Sequence, residues 1–344
     1  MSHELESATS MIWTNEVPWH GLGIEMDPAA GAMAWMTAAG LDWDVVKQPM
    51  FTTMPNGENI TVKGKKGSDY SVLIRDHRNN EFAPEDIFGP VGPEWIPVQN
   101  SEVFLFMERF CDANGMTIET CGSLKGGTEI WALLKFADEF EVVKGDPMKG
   151  YLLFRSCHVW GKGNQLLLTP VRVVCNNTMT AALSNNSGNF KMPHTTEFTT
   201  EVQDNAIQAL GLAQGQMDEF QTAAQLLSDS PCNDAQLQQF ITEIFQPNLF
   251  GKMEQDNIPV TEMADHWTPT AEGVYQSVHL SPGADLKSAK GTWWGALNGV
   301  TYYEDHMRVS FQDDSNTLGS AWFGGGAKRK QEAMVLATKM AVDA

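Results

Sequence analysis

Thr169-Pro170-Val171-Arg172-Val173-Val174-Cys175-Asn176-Asn177-Thr178-Met179 carries the reading of the fold. Its first half is apolar and β-branched with alternation, the mark of a half-buried strand. Arg172 interrupts the run, and a buried guanidinium there needs a carboxylate, carbonyl or phosphate partner. The run stops at Cys175, Asn176, Asn177 and Thr178, which place donors, acceptors and a thiol at a strand end. Two readings of that cluster stand side by side. One is a capped turn, with Asn176 to Thr178 supplying N-cap chemistry; the other is a site.

Upstream, residues 116–122, 129–136, 151–158 and 164–174 read as strands, with Lys125-Gly126-Gly127 in a loop between two of them. Residues 42–54 and 58–64 alternate around the turn Pro55-Asn56-Gly57, and 70–75 is one strand more. Residues 31–41 read as a short helix. Ser101, with Glu102 in the first turn, is the expected N-cap of a helix whose apolar side is Val103, Phe104, Phe106, Met107 and Phe110.

Downstream the pattern changes period. Ile207, Leu210, Met217, Phe220, Ala224 and Leu227 predict a long amphipathic helix over 200–228. Leu237, Phe240, Ile241 and Ile244 predict a second over 234–245, and the break at 228–233 makes the two a helical hairpin. Residues 246–285 read as loop with short helices. Residues 291–306 are helix-like, and the chain closes in a helix with Ala333, Met334, Leu336, Ala337 and Met340 inward. The expected fold is α+β: a curved, mostly antiparallel sheet with helices on one side, plus an acidic helical hairpin. The expected division is a core domain over 1–198, the acidic hairpin and loop segment over 199–285, and a C-terminal segment over 286–344 that packs back on the core.

The chain has 344 residues and a formal charge of −20. Residues 201–280 hold 12 acidic side chains against Lys252 alone, whereas 281–344 balance at 7 of each sign. That acidity argues against a nonspecific nucleic-acid coat but leaves room for a local basic groove. No apolar run is long enough to span a membrane, and no membrane partner is expected. The first 13 residues carry acid and no basic stretch before an apolar core, so no secretory leader is expected. Five Cys without a CxxC pair point to a reducing cytoplasm, and no zinc-ligand spacing occurs. No metal and no cofactor is expected.

Candidate site residues fall into several groups. Trp19-His20-Gly21 sets a titratable His20 in a fixed turn, as a tucked arm or a ligand-facing group. Lys125-Gly126-Gly127 offers backbone N–H groups and a cation to a phosphate, or is a plain hairpin turn; it lacks the spacing of a P-loop. Arg155, Lys162 and Arg172, with Cys157 and His158, lie on or between adjacent strands and suggest a basic strip. Period-2 geometry sets Arg155 and Cys157 on one face and His158 on the other. Cys175 beside His158 or His194 has the elements of a nucleophile–base pair but no Cys-centred signature. Trp294, Asn298 and Tyr302 recur at helical spacing. Glu304, Asp305 and His306 follow them, as metal ligands at a helix end or as packing groups. Lys328, Arg329 and Lys330 open the last helix, where cations oppose the helix dipole and call for an anion or a neighbouring carboxylate.

Five motifs in order, PWHGLG at 18–23, ETCGSLKGG at 119–127, TPVRVVCNNT at 169–178, WWGALNGVTYYEDH at 293–306 and AWFGGGAKRKQ at 321–331, resemble one family across essentially the whole chain. It is the family of phage/plasmid-like proteins built on the prokaryotic domain of unknown function 932. The chain departs from the pattern at Gly299, where Ala is expected, and in the three glycines at 324–326. The resemblance implies a setting of mobile DNA within the cytoplasm of a bacterial host. By fold-level analogy with phage strand-annealing proteins, the expected function is binding or annealing of single-stranded DNA in replication or recombination. In that reading Lys125, Arg155, Lys162, Arg172, Lys328, Arg329 and Lys330 contact phosphate, Trp294, Tyr302 and Trp322 stack or support, and the chain forms a homo-oligomer. One alternative is an enzyme whose polar pocket gathers His20, Arg172, Asn176, Asn177, Asn298, Asp305 and His306, acting as a metal-dependent phosphoesterase or on nucleotides. The other is a host-defence antagonist that binds a protein through its acidic face.

Overall fold

The computed structural model describes residues 11–15, 23–64, 67–77, 81–172, 177–178, 189–210, 213–256, 258–308 and 318–343. The PWHGLG motif, apart from its last residue Gly23, and the segment 173–176 lie outside them, so His20, Cys175 and Asn176 are not placed.

Among the described residues the main sheet has eight strands and is almost entirely antiparallel. Its centre is a meander of β8 (Thr117–Leu124), β9 (Glu129–Glu141), β10 (Pro147–Cys157) and β11 (Asn164–Arg172). Before β8 come β1 (Met11–Trp13), which pairs with it, and β2 (Ile24–Glu25), which runs parallel to β1. At the far edge β11 pairs with β12 (Asn177–Thr178) through its C-terminal end and with β13 (Asn189–Met192) through its N-terminal half. A separate three-stranded sheet contains β3 (Asp44–Pro49), β6 (Ser71–Asp76) and β7 (Ile87–Val91), and a hairpin pairs β4 (Phe51–Thr53) with β5 (Asn59–Thr61). The strands expected from alternation are present, most of them with a buried side, whereas β4 and β5 are exposed almost throughout.

One face of the meander is covered by α1 (Ala32–Ala38) and α2 (Asn100–Asn114). Phe104, Phe106 and Phe110 of α2 bury there against Ile130, Leu134, Leu152, Phe154 and Leu166 of the strands. The start of α2 differs from expectation: its N-cap is Gln99, not Ser101. The Glu102 carboxylate accepts the Gln99 N–H at 2.7 Å, and the Gln99 amide exchanges two hydrogen bonds with the Val45 backbone. A long-range tie to β3 thus fixes the boundary two residues early.

The residues that alternate with these, Trp131, Leu133, Tyr151, Leu153, Leu167 and Val171, cluster on the other face with Trp322 and Phe323 of α9 (Leu318–Phe323). A further core is helical. It joins α4 (Ala213–Asp229), α5 (Asp234–Phe245), α7 (Pro269–Leu280), α8 (Trp293–Tyr302) and α10 (Gly325–Asp343) around Phe220, Phe240, Trp293, Trp294 and Met334. The acidic stretch starts with α3 (Thr200–Leu210), and its 246–285 portion is more helical than expected, with α6 (Pro247–Gln255) and α7. Asn233 caps α5, its Oδ1 accepting the Gln236 N–H at 2.9 Å, and Thr292 caps α8. The helical core meets the sheet at Asp146, fully buried, which accepts from Trp294 Nε1 at 3.0 Å and Ser288 Oγ at 2.6 Å.

Candidate functional site

The turn between β10 and β11, residues 158–163, reads His-Val-Trp-Gly-Lys-Gly. Gly161 takes a left-handed φ of 82°, and Gly163 lies so close to β13 that a Cβ would stand 2.7 Å from the Met192 carbonyl oxygen. Gly161 thus lets the chain turn, and Gly163 lets the turn lie against the sheet edge. Trp160, immediately before Gly161, is 75% exposed, a large aromatic left in water.

Trp160, Trp95 and Thr195 line two adjoining clefts. The larger, about 580 Å³, is completed by Arg155, Lys162, Gln165, Lys191 and His194 among others. The smaller, about 330 Å³, runs toward Gly64, Ser68, Tyr70 and Glu94. Strand register explains the charged wall. Arg155 on β10 stands opposite Gln165 on β11, which stands opposite Lys191 on β13. Paired residues share a face, so three strands deliver one row of side chains to the groove. His194 stacks on Trp95 with centroids 4.0 Å apart, and its Nδ1 lies 3.0 Å from the Ile96 carbonyl oxygen. Burial pulls its pKa down against the backbone hydrogen bonds at Ile96 and Cys157, which favour the charged form.

Beneath the row sits Glu129, 1% exposed. Its Oε2 accepts from Arg155 Nη2 at 2.6 Å and Nε at 3.1 Å, while Oε1 accepts from the Lys162 ammonium and from Lys125 Nζ at 3.3 Å. Burial alone would raise the Glu129 carboxyl; the Lys162 hydrogen bond and the Arg155 and Lys125 charges overcome it and hold the pKa at about 2. Three cations share one carboxylate. Arg155 is also covered by the Phe323 ring, 4.4 Å from its guanidinium carbon. Three of the expected phosphate contacts are therefore gathered at one place, held by a carboxylate. Cys157 beside them is fully buried, and burial pushes its thiol to about 12, which leaves it no thiolate character. His158 faces away, as period 2 requires, with Nε2 3.2 Å from Asn100 Oδ1.

Lys125-Gly126-Gly127 is a left-handed hairpin turn, with φ of 55°, 66° and 82°. Its Gly126 carbonyl accepts from Arg75 Nη2 at 2.9 Å, so a guanidinium from β6 already lies against the loop.

The C-terminal candidates lie elsewhere. Lys330, 2% exposed, donates to Asp305 at 2.6 Å. Arg329 and Arg308 both reach Glu304, at 3.0 and 2.9 Å. Burial raises the Glu304 pKa despite the Arg329 hydrogen bond and the neighbouring cations. These are the neighbouring carboxylates that basic residues at a helix start call for. Lys328 alone of the three is well exposed, 3.4 Å from Glu332. His306 packs its ring 4.7 Å from that of Tyr302. Trp294 is fully buried on Asp146, and Asn298 donates to the Trp294 carbonyl at 2.7 Å. Among the described residues no group of three or more His, Cys, Asp or Glu side chains is placed to hold a metal ion. The strand β12, which carries Asn177, packs against α8, which carries Asn298. Arg172 and Asn177 are placed by backbone alone, in register with one another.

Sequence reasoning missed Trp160, Gln165, Lys191 and Glu129. The available signal was Trp160-Gly161-Lys162-Gly163, a large aromatic and a cation spaced by glycines in a short turn between strands. Lys191 carried no signal, since only pairing across β11 brings it in.

No helix among the described residues is long and apolar enough to cross a membrane. The model of the domain-of-unknown-function family DUF932 matches residues 87–337, well over half of the chain, and the chain belongs to that family. No curated protein and no solved structure matches it.

Proposed function

We propose that this member of the DUF932 family binds single-stranded nucleic acid, DNA first, in the groove on either side of Trp160, as an accessory protein of phage or plasmid replication and recombination. The observation that carries the reading is the 75%-exposed Trp160 standing between two clefts, with Lys162 and Lys191 beside it. An exposed indole with two ammonium groups in the cleft on one side of it suits a stacked base followed by its phosphate, and the stacking tolerates any base. In an acidic chain, a confined basic groove also disfavours duplex DNA, whose two backbones would meet the surrounding negative surface. A homo-oligomer would align several grooves along one strand, in the cytoplasm of a bacterial host.

The test is fluorescence anisotropy of labelled oligothymidylate and of duplex DNA across salt. Single strands are expected to bind more tightly, and Trp160→Ala to weaken that binding by about 1–3 kcal/mol. Lys191→Ala is expected to flatten the logarithmic salt slope by about 0.7. Absence of binding at low salt, or an unchanged affinity in Trp160→Ala, sinks the reading.

The enzyme reading is favoured by a different observation, the approach of β12 to α8, which brings two polar segments of the sequence together. Hydrolysis of nucleotides that survives Trp160→Ala and is lost in Asn298→Ala would move the function there.

A further inference from the structure

This inference rests on the nucleic-acid reading and assigns one end of the groove. We infer that Lys162 and Lys191 form a phosphate subsite, and that Glu129 is its positioning residue.

The Glu129 carboxylate carries one negative charge and is shared by the cations of Arg155, Lys162 and Lys125. These groups differ in exposure. Arg155 is spent: two of its nitrogens are on Glu129, Nη1 is 3.4 Å from Gln165 Oε1, and Phe323 lies over its face. Lys162 is not, for its side chain is 40% exposed at the cleft and its ammonium has donors beyond the one given to Glu129. Lys191 is exposed on β13, two strands along the same row. A phosphate in the larger cleft therefore meets two lysines, one of them pinned by a carboxylate that is itself almost wholly out of water. Pinning removes rotamer freedom that Lys162 would otherwise lose on binding. Trp160, two residues from Lys162, sets the base beside the phosphate.

Glu129→Gln gives the inference a definite sign. The substitution adds one unit of positive charge, so long-range attraction alone would tighten phosphate binding. Positioning requires the opposite, because Lys162 and Arg155 lose the acceptor that orients them.

Inorganic pyrophosphate, titrated by calorimetry into the full chain, probes the subsite, and its competition with oligothymidylate ties the subsite to the groove. Pyrophosphate is expected to bind the parent and compete, and Glu129→Gln and Lys162→Ala each to weaken it about tenfold. Should Glu129→Gln fail to fold in a thermal melt, Lys162→Ala and Lys191→Ala decide, both being substitutions of exposed side chains. Equal or tighter pyrophosphate binding in Glu129→Gln, no effect of Lys162→Ala, or no binding to the parent overturns the inference. A parent that binds oligothymidylate in a Trp160-dependent way without binding pyrophosphate loses the subsite and keeps the groove. Pyrophosphate binding without oligothymidylate binding loses the single-strand reading instead.

Discussion

His158 shows how far one buried side chain can set the behaviour of the whole. It lies between Phe88, stacked at 5.8 Å, and Trp43, edge-on at 5.6 Å, with Nε2 on Asn100. Burial pulls its pKa from 6.5 to about 3, and the charges of His194 and Arg75 act in the same direction. Above the unfolded value both states are neutral and stability is complete. Below it the unfolded chain takes a proton that the native imidazole refuses, so stability falls as pH drops toward the folded value, by up to about 1.4 kcal/mol per unit. Glu129 adds a lower window: its folded pKa of about 2 against 4.5 means its contribution is full above 4.5 and lost as pH falls through 2. Urea unfolding at about pH 7 and about pH 5 is therefore expected to show a clear loss of stability, much reduced in His158→Asn. Equal stability at the two values would show that His158 is protonated in the native core. At Lys330, Asp305→Asn removes the carboxylate from an ammonium that is 2% exposed, and a loss of about 3–5 kcal/mol in the same assay is expected.

At the scale of elements, α7 and α8 meet through glycine. A Cβ on Gly299 would stand 2.8 Å from the Cα of Val278 in α7, and one on Gly295 2.8 Å from the carbonyl carbon of Ala289 in the link between the two helices. The family resemblance leads to Ala at 299, yet here the backbones are too close for one. Gly299→Ala is expected to cost at least about 1–3 kcal/mol by urea unfolding, and a neutral outcome would mean that the two helices can slide apart. Most elements were legible in sequence. The apolar side of α2, the span 234–245 of α5 and the strands from 117 to 172 follow from period 3.6 or period 2. The cap of α2 was not, because Gln99 is chosen by its bonds to Val45, distant in sequence. The basic row was half legible: alternation separated Arg155 from His158, but Lys191 and Gln165 join it only through strand pairing.

For the whole molecule the formal charge is −20, and −11 of it falls in residues 201–280. Self-repulsion of that size is screened over about 10 Å at 0.1 M salt, so the melting temperature is expected to rise from low ionic strength to about 0.1 M. A fall would place the buried ion pairs above net repulsion in the balance. The groove gathers the connection after β7, the turn after β10, the strand β13 and the loop behind it, segments scattered from Gly64 to Thr195. The sequence by itself determined the α+β class, the positions of most strands and helices, the acidity of 201–280 and the family, because periodicity, charge and motif are local properties of the chain. Tertiary structure alone decided which cations are spent and which face solvent. Arg329 and Lys330 are neutralised by Glu304 and Asp305, and Arg155 and Lys162 converge on Glu129. The partner of a charge is set by register and packing across long stretches of chain, and desolvation makes that partner compulsory once the charge is buried.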